Sequence, residues 1–493
     1  MRATDDELSS KLERMSLGHA PRVLELCSGC GGLSLGLVAA GFELAAHIEL
    51  DAEANATYAL NFAPAAPELR EVWSRPRDMI SQSMSDLAAD FGLADGPSRA
   101  FDVLAAGLPC QAFARIGRSK LRSITGDVDA FKNDPRARLY RRFLRIVEET
   151  RPLAIVLENV PDIMNFGGHN VPEEIAEELE RIGYSVRYTL LNAAFYGVPQ
   201  LPERLFLIAF DESLGVVPAF PQPSHAMALP RGYEGSRSVA LKHVNRVRSH
   251  FASIPEGVSG LPNVVSVKDA LADLPRITEH MRDSSMMAKR KVSDLFPYRE
   301  DVFPSPYADM MRGWSGFATA DHVSGNVVRL TERDFPIFGR MPRGGDYPVA
   351  LEIAEKMFEE RLCKERRRPR PGTANYYAMK KRIVPPYDAG KFPNKWWKLV
   401  PDSPARTLTA HLGKDTYSHI HYDGRQRRMI SVREAARLQS FPDGFRFAGA
   451  MNASFRQVGN AVPPLLGLAV GGALMTALQA AVADWAATRR RAA

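Results

Sequence analysis

The amino-acid sequence predicts an α/β fold, a doubly wound parallel sheet with an inserted smaller domain. From Pro21 to Phe210 short apolar runs alternate with amphipathic stretches, as strands and crossover helices do in a parallel sheet. Between about residues 211 and 400 the sequence becomes proline-rich and charge-rich, over a length that exceeds normal connecting loops. Helical, core-like sequence returns at Ser431. The predicted organisation is a first domain at 1–215, an inserted domain at 216–430, and a return to the first domain at 431–493.

Each element of the first domain is predicted from its hydrophobic pattern. The predicted strands are Val23–Leu26, Leu44–Ile48, Asp102–Ala106, Ala154–Leu157, Tyr184–Leu190 and Leu205–Phe210, the last two pairing as closing strands. Amphipathic spacing predicts the helices Leu33–Ala40, Asp51–Asn61, Arg136–Glu149 and Pro172–Ile182. Gly41 and Gly183 end two of them, because glycine readily adopts the left-handed conformation at a helix end.

Composition narrows the class of protein. Of 493 residues, 45% are hydrophobic and 25% charged, which excludes disordered and collagen-like chains. The net charge of +7 permits a polyanionic partner. Four cysteines are too few for a disulfide scaffold, and the N-terminus lacks the apolar core of a signal peptide, so we expect a cytoplasmic protein. The uncharged stretch Val462–Ala483 is predicted to be a buried helix with no membrane contact, because glycines and prolines dilute it.

A basic segment at 361–382 contains nine Lys or Arg residues against one acid, Glu365. Tyr376 and Tyr377 lie within it, and basic side chains beside aromatics suit a nucleic-acid backbone and its bases. A solvated surface segment would have the same composition. Both interpretations stay open at the level of sequence.

A glycine turn follows the first predicted strand, at Cys27-Ser-Gly29-Cys-Gly31-Gly32. Such a turn lets a ligand approach the backbone and leaves helix amides free. Glu49 ends the next strand, where a carboxylate can accept hydrogen bonds from ribose hydroxyls, so the pair indicates an adenosine cofactor. Tight helix packing is the alternative role for the glycines. The Cys27–Cys30 spacing has no second CxxC or histidine pair beside it, so we predict no metal site.

Two further motifs follow strands whose carboxyl ends meet at one sheet edge. Pro109-Cys110-Gln111 follows the third strand, and Glu158-Asn159 ends the fourth. Cys110 is a candidate nucleophile because it would face the ligand-binding edge, although an isolated cysteine is commonly inert. Glu158 should be partly desolvated, with a raised pKa that would let it donate a proton. Strand-end residues such as Asn159 also serve as helix caps.

Two later motifs are less specific chemically. Arg204, before the last apolar strand, could contact a carbonyl oxygen or a phosphate. Asn460, in Val458-Gly-Asn-Ala-Val-Pro-Pro464, reads as a turn or capping residue.

The order of these motifs resembles the DNA (cytosine-5) methyltransferase family of bacterial restriction-modification systems. ELCSGCGGLSLG is similar to the family's S-adenosylmethionine turn, IELD to its ribose-binding acid, GLPCQAF to its nucleophile loop and LENV to its catalytic glutamate motif. VPQLPER, RTLTA and VGNAVPP resemble the family's later motifs. The resemblance covers most of the chain outside the inserted domain, and the motifs are highly specific as a set.

The resemblance implies a Rossmann-like S-adenosylmethionine-dependent sheet and a target-recognition domain at 216–430. The implied catalytic residues are Cys110, which adds to C6 of a flipped-out cytosine, Glu158, which steadies N3, and Arg204. The implied cofactor-binding residues are Cys27, Gly29, Gly31, Gly32, Glu49, Asp78 and Asn460, and the substrate-binding residues are Pro109, Gln111 and Asn159. The basic loop after Cys110 would close over the DNA. The implied partner is double-stranded DNA, which a monomer of the protein would bind. A cognate restriction endonuclease would act separately.

The chain departs from the family's pattern at two positions. The family usually has an aromatic residue where this chain has Cys27, and an arginine where it has Pro202. The first change removes a stacking contact with adenine, and the second removes a basic group near the flipped base.

Two alternative functions stay open. The same framework could methylate cytosine in tRNA, or it could bind DNA without catalysis. A nicotinamide dehydrogenase would also have a glycine turn and an acid, but would leave PCQ and ENV unexplained.

Overall fold

The computed structural model describes residues 5–93, 95–109, 137–166, 168–230, 233–244 and 249–492. The chain divides into two compact units. Unit 1 comprises residues 1–198, 202–264 and 461–493, and unit 2 comprises residues 199–201 and 265–460.

Unit 1 is built on a six-stranded sheet. Its strands are β1 (Arg22–Leu26), β2 (Glu43–Ile48), β3 (Val103–Gly107), β4 (Ala154–Asn159), β5 (Tyr184–Asn192) and β6 (Glu203–Asp211). The spatial order is β2-β1-β3-β4-β6-β5, with β1 to β4 parallel and β6 antiparallel to both β4 and β5. The predicted α/β fold and the pairing of the two closing strands are confirmed.

The central strands form because their residues are apolar on both faces. Val103 to Ala106 in β3 and Ala154 to Leu157 in β4 are almost completely buried. Runs of this kind are typical of parallel strands covered on both sides. Strand order changes direction between β1 and β3, and the carboxyl ends of strands at such a switch point form the usual ligand site of open α/β sheets.

The α-helices are, in chain order, α1 (Asp5–Ser16), α2 (Gly32–Ala39), α3 (Ala52–Phe62), α4 (Pro67–Ser74), α5 (Met84–Asp90), α6 (Pro97–Ala100), α7 (Ala137–Thr150), α8 (Val171–Arg181), α9 (Tyr233–Ala240), α10 (Val267–Leu271), α11 (Ser284–Lys289), α12 (Pro306–Arg312), α13 (Phe335–Arg340), α14 (Tyr347–Lys364), α15 (Ala374–Lys381), α16 (Val432–Leu438), α17 (Met451–Asn460) and α18 (Pro464–Ala492). Short 3₁₀ turns occur at Pro161–Asn165, Ala193–Tyr196, Glu212–Leu214, Leu241–His243, Glu279–Met281 and Ala410–Gly413. Unit 2 also has a two-stranded pair, β7 (Phe296–Pro297) and β8 (His322–Val323).

The C-terminal helix α18 packs along α2 within unit 1. A Cβ atom at Gly36 of α2 would lie 2.4 Å from the backbone nitrogen of Leu468, so the two helices approach at backbone distance. Helix α18 is long and apolar enough to cross a membrane, and 44% of its most apolar window is buried inside the protein. Gly467 and Gly471 of α18 lie at this contact, since a Cβ atom there would be 3.3 Å from the Leu33 carbonyl oxygen and 2.9 Å from the Ala40 Cβ, respectively.

The unit boundaries differ from the predicted domain boundaries at 215/216 and 430/431. Residues 216–264 belong to unit 1, where the Tyr188 backbone nitrogen donates to the His250 carbonyl at 3.0 Å. Residues 431–460 belong to unit 2, where Arg437 of α16 pairs with Asp273 at 3.0 Å. These contacts join residues distant in sequence, so local composition did not indicate them.

Candidate active site

The carboxyl ends of β1 to β4 bring the predicted polar residues of unit 1 to one edge of the sheet. Gly107 of β3 is opposite Glu158 of β4 in the strand register. A Cβ atom at Gly107 would lie 3.6 Å from the Cys27 carbonyl oxygen and 4.0 Å from Oε2 of Glu158. The glycine turn and the candidate catalytic acid are therefore close neighbours, separated by a residue that has no side chain.

The predicted ribose-binding acid is joined directly to the glycine turn. The backbone nitrogen of Gly29 donates to Oε2 of Glu49 at 2.8 Å, and the backbone nitrogen of Asp51 donates to Oε1 at 2.8 Å. Each carboxylate oxygen keeps a second lone pair for a ligand hydroxyl. Asp51 also begins α3, since its side chain accepts from the Glu53 and Ala54 backbone nitrogens.

The glycines of the turn have different structural roles. Gly29 has φ +55°, and a Cβ atom there would meet nothing within 4 Å, so its surface is open to a ligand. Gly31 has φ +93°, and its Cβ would lie 2.3 Å from the Phe62 ring. Gly31 is thus required for the packing of α3 on the turn. Gly32 is the first residue of α2, whose N-terminus has no side-chain cap, so its amides can face a polar ligand.

Cys27 has a left-handed backbone, with φ +52°, and is half-buried. Burial, together with the nearby Glu49 and Glu25 carboxylates, raises the pKa of its thiol to about 12. It therefore stays a neutral thiol near neutral pH. Cys30 is fully buried, and burial raises the pKa of its thiol as well.

Asp78 is placed near the turn by its neighbour. The Arg77 backbone nitrogen donates to the Glu49 carbonyl at 2.7 Å, and the Asp78 carboxylate is close enough to Cys27 to contribute to the raised pKa of that thiol. Asp78 is exposed, and its Oδ1 accepts from the Ile80 backbone nitrogen at 2.9 Å. The carboxylate thus lies at the surface beside Glu49.

Glu158 and Arg204 form an ion pair at the same edge. The Arg204 Nε lies 3.1 Å from Oε1 of Glu158, and the two side chains are 11% and 13% exposed, respectively. Burial raises the pKa of the Glu158 carboxyl, and the Arg204 charge opposes part of this rise. Because β6 is antiparallel to β4, its first residues lie beside the last residues of β4. This arrangement brings Arg204 to Glu158, a pairing that the sequence did not predict.

The neighbouring Pro202 leaves its place in the motif without a basic side chain. Its carbonyl accepts from the Ala193 backbone nitrogen at 3.0 Å. Arg237 of α9 binds Glu203, with Nε 2.8 Å from Oε1. Since successive strand residues point to opposite faces, Arg237 contacts β6 on the face opposite to Arg204.

Asn159 holds the end of β3 against β4. Its Nδ2 donates to the Leu108 carbonyl at 3.0 Å, and its Oδ1 accepts from the Val160 backbone nitrogen. Both groups of the amide are thus used within the protein, which makes Asn159 a positioning residue for the segment that leads to Cys110. Pro109 is exposed at the end of that segment. Cys110 and Gln111, with the basic loop after them, lie outside the described residues.

Sequence reasoning missed a buried polar layer beneath the glycine turn. The Ser28 hydroxyl donates to Nδ1 of His47 at 3.0 Å, and Nε2 of His47 lies 2.9 Å from the Trp73 carbonyl. A carbonyl only accepts, so Nε2 carries a proton. Burial lowers the pKa of His47 to about 3, so near neutral pH the ring is neutral and Nδ1 accepts from Ser28. Only the polar His47 within an otherwise apolar strand could have signalled this layer.

A second buried group supports α2 from below. Glu25 of β1 accepts a hydrogen bond from the Ser34 hydroxyl, which lies 2.6 Å from the Tyr58 hydroxyl. Burial and the nearby Glu49 carboxylate raise the pKa of Glu25 well above its usual value. This carboxyl therefore stabilises the turn and not a ligand.

Asn460 is the last residue of α17 and belongs to unit 2. A Cβ atom at the preceding Gly459 would lie 2.2 Å from the Thr409 backbone, so the glycine of the VGN motif allows α17 to pack on the RTLTA segment. The other predicted cofactor residues belong to unit 1. The cofactor role of Asn460 stays a prediction.

The basic segment at 361–382 contains the end of α14 and the whole of α15. Several of its charges are paired, for example Arg361 with Glu365 and Lys380 with Glu355. Tyr376 packs on Phe358 with ring centroids 5.1 Å apart. These contacts favour a structural surface for part of the segment.

A family model and the relatives found by sequence comparison agree in describing DNA methyltransferases. The family model described as "C-5 cytosine-specific DNA methylase" matches residues 21–301 and 321–476. The type II methyltransferase M.OihORF3336P of Oceanobacillus iheyensis is 37% identical over 467 residues, which cover 93% of this chain and 96% of that relative. The type II methyltransferase M.AgeI of Thalassovita gelatinovora is 28% identical over 479 residues, 93% of this chain and 100% of that relative.

One solved structure supports the fold. It is the crystal structure of a prophage-encoded DNA modification methyltransferase of E. coli, with a TM-score of 0.58 and 22% identity. The match covers 93% of this chain and 100% of that one.

Proposed function

Because the chain belongs to the family of C-5 cytosine-specific DNA methylases, we propose that it methylates C5 of a flipped-out cytosine in a specific double-stranded DNA sequence. The observation that carries this proposal is the partly buried Glu158–Arg204 pair at the carboxyl edge of the sheet. Asn159 holds the segment that leads to Cys110 against the same edge. We propose that Cys110 acts with the Glu158 acid and the Arg204 guanidinium on one pyrimidine ring.

The reaction begins at C6 of the cytosine. The Cys110 thiolate forms a bond to C6, and the displaced electron pair makes C5 nucleophilic while negative charge develops towards N3. Glu158, whose pKa burial raises, donates a hydrogen bond or a proton to N3 and so stabilises that charge. After C5 is methylated, the C5 proton passes to solvent, the C6–S bond breaks so that Cys110 leaves as a thiolate, and N3 returns any proton it took to Glu158, which restores the aromatic ring.

S-adenosylmethionine fits the residues of the glycine turn. Glu49 keeps lone pairs for ribose hydroxyls, and Gly29 leaves its surface open. Asp78 lies at the surface nearby, where its carboxylate can accept from an adenine amino group. The cofactor would supply the methyl group, which it carries on a positively charged sulfur. Cys27 gives adenine a thiol in place of an aromatic ring, so we expect weaker stacking.

The substrate must leave the duplex, because C6 is not accessible inside a base stack. In our proposal the inserted segment predicted at 216–430, most of which belongs to unit 2, acts as the target-recognition domain. Since relatives are named as type II methyltransferases, we infer that the modification protects host DNA from a separate endonuclease. We expect the enzyme to act as a monomer in the cytoplasm.

The test is covalent trapping on duplex DNA that contains 5-fluorocytosine. The wild-type chain, with S-adenosylmethionine, is expected to form a stable adduct because the fluorine cannot leave as a proton does. Cys110→Ala should form none and lose methylation while it keeps cofactor binding. The matched control is Cys363→Ala, which removes an exposed free thiol in unit 2 and should trap normally.

Other outcomes separate the alternatives. Methylation by Cys110→Ala would contradict the mechanism. Trapping on tRNA and not on DNA would assign the enzyme to RNA. DNA binding by the wild-type chain without an adduct would indicate a homologue that binds DNA but does not catalyse methylation. Bisulfite sequencing of DNA from expressing cells would identify the recognised sequence.

A further inference from the structure

Arg406 of the RTLTA segment has a rigidly held backbone within unit 2. The Ala405 backbone nitrogen donates to the Pro199 carbonyl at 2.9 Å, and the Leu408 backbone nitrogen donates to Oε1 of Gln200 at 3.1 Å. The Arg406 carbonyl lies 3.1 Å from Nε2 of His419. The backbone on either side of Arg406 is thus fixed by hydrogen bonds, and the direction of its side chain is restricted.

The Arg406 guanidinium is stacked on an indole ring. Its central carbon lies 3.5 Å from the centroid of the Trp397 ring. The indole is held in turn, because the Trp397 backbone nitrogen donates to the Tyr417 carbonyl at 2.9 Å, and a Cβ at Gly344 would lie 3.8 Å from its edge. Stacking fixes the guanidinium plane in advance, which reduces the entropy lost when that plane binds a ligand.

Within the part of the chain that the structure describes, the donors of this guanidinium have no protein acceptor. Among the described residues, no carboxylate forms an ion pair with Arg406 and no acceptor receives a hydrogen bond from its side chain. Other partly buried arginines of unit 2 do have such partners, for example Arg312 with Asp273 and Arg290 with Glu279. Burial lowers the pKa of Arg406, and Asp346 opposes this change. No Arg406 nitrogen is among the buried, unpartnered atoms of the described residues, so these donors reach solvent and are accessible to a ligand.

Two threonines follow Arg406 closely in the chain, and their hydroxyls can also donate hydrogen bonds to a ligand. Thr407 is half-buried and Thr409 exposed, and in the described part of the chain neither hydroxyl is hydrogen-bonded to protein. The nearby Asp346 carboxylate caps α14 by accepting from the Val349 backbone nitrogen. The residues that follow Arg406 in the chain therefore add hydroxyl donors to its positive charge, a combination that suits an anion better than a base edge.

We propose that Arg406, held flat on Trp397, binds a phosphate of the DNA backbone. The inference rests on the proposed function, because it takes duplex DNA as the substrate. A planar guanidinium can bind two phosphate oxygens at once, which a lysine cannot do. The contact would position the duplex on unit 2 without reading its sequence.

The test measures DNA affinity of the full chain against salt concentration. Two duplexes are used, one with the methylated sequence mapped by bisulfite sequencing and one without it. Arg406→Gln should weaken binding to both by a similar factor, about five- to tenfold at moderate salt, and should reduce the slope of log K against log salt by about 1. Arg406→Lys should keep most of the slope and lose part of the affinity.

The matched control is Arg425→Gln. It removes the same charge from the same unit, but Arg425 is 82% exposed and already paired with Asp423, so affinity and slope should hardly change. An effect of Arg406→Gln on the specific duplex alone would overturn the phosphate assignment in favour of base reading. If neither Arg406→Gln nor Arg406→Lys changed DNA binding, the proposed phosphate contact would be overturned altogether. Failure of the wild-type chain to bind either duplex would contradict the proposed function instead.

Discussion

The ionisation of Glu158 depends on two opposing influences at one residue. Burial raises the pKa of its carboxyl, and the Arg204 guanidinium 3.1 Å away lowers it. If Glu158 acts as a proton donor, kcat/KM falls as pH rises through its pKa in the free enzyme. The charge of Arg204 therefore sets the upper pH at which the enzyme works.

Arg204→Gln should move that decline to higher pH, because removal of the positive charge lets the pKa of Glu158 rise further. An opposite charge at this distance favours the ionised carboxyl, so its removal should displace the decline upwards in pH. The measurement is the pH profile of kcat/KM. Arg187→Gln, which removes an exposed charge from β5, is the control. An unmoved profile would show that Glu158 does not limit the alkaline side.

At the scale of elements, the contact between α2 and α18 depends on glycine. At Gly36 a Cβ would lie within 2.5 Å of three backbone atoms of α18, and backbone cannot move aside as a side chain can. Gly36→Ala should therefore destabilise the protein by about 1–3 kcal/mol in thermal or denaturant unfolding.

Gly472→Ala, on α18 itself, is the matched control for this contact. A Cβ there meets nothing within 4 Å, so the better helix propensity of alanine should stabilise the protein by about 0.5–1 kcal/mol. Equal effects of the two substitutions would contradict the packing.

The elements also show what the sequence could predict. The apolar runs of β3 and β4, and the glycine turn after β1, were located correctly because local pattern and burial agree there. The polar ends of β5 and β6, at Asn192 and Glu203, were missed because their pairing depends on the partner strand. The layer at His47 was missed for the same reason, since the Trp73 carbonyl that binds it is distant in sequence.

At the scale of the whole molecule, unit 2 is organised around a buried arginine. Arg437 is fully buried and pairs with Asp273 and Asp443. Burial alone would raise the pKa of Asp443, but Arg437 holds it below its usual value. The three groups join the segment after α10 to α16 and the turn after α16, and the sequence prediction had placed that segment in a different domain from α16.

Arg437→Met should destabilise unit 2 by about 3–5 kcal/mol, because it leaves Asp443 buried without its arginine and Asp273 with Arg312 alone. Hydrogen exchange should accelerate across residues 265–460 more than in the sheet of unit 1. Arg276→Met, which breaks an exposed pair with Asp301, should change stability by less than about 1 kcal/mol. Uniform exchange over both units would mean that they unfold together.

The imidazole of His47 has a consequence for how the enzyme tolerates acid. With its pKa lowered to about 3, this ring gains no charge anywhere in the range that living cells experience. The support under the glycine turn should then keep one pattern of hydrogen bonds under acid stress. Any sensitivity of DNA modification to acid must originate in groups other than His47.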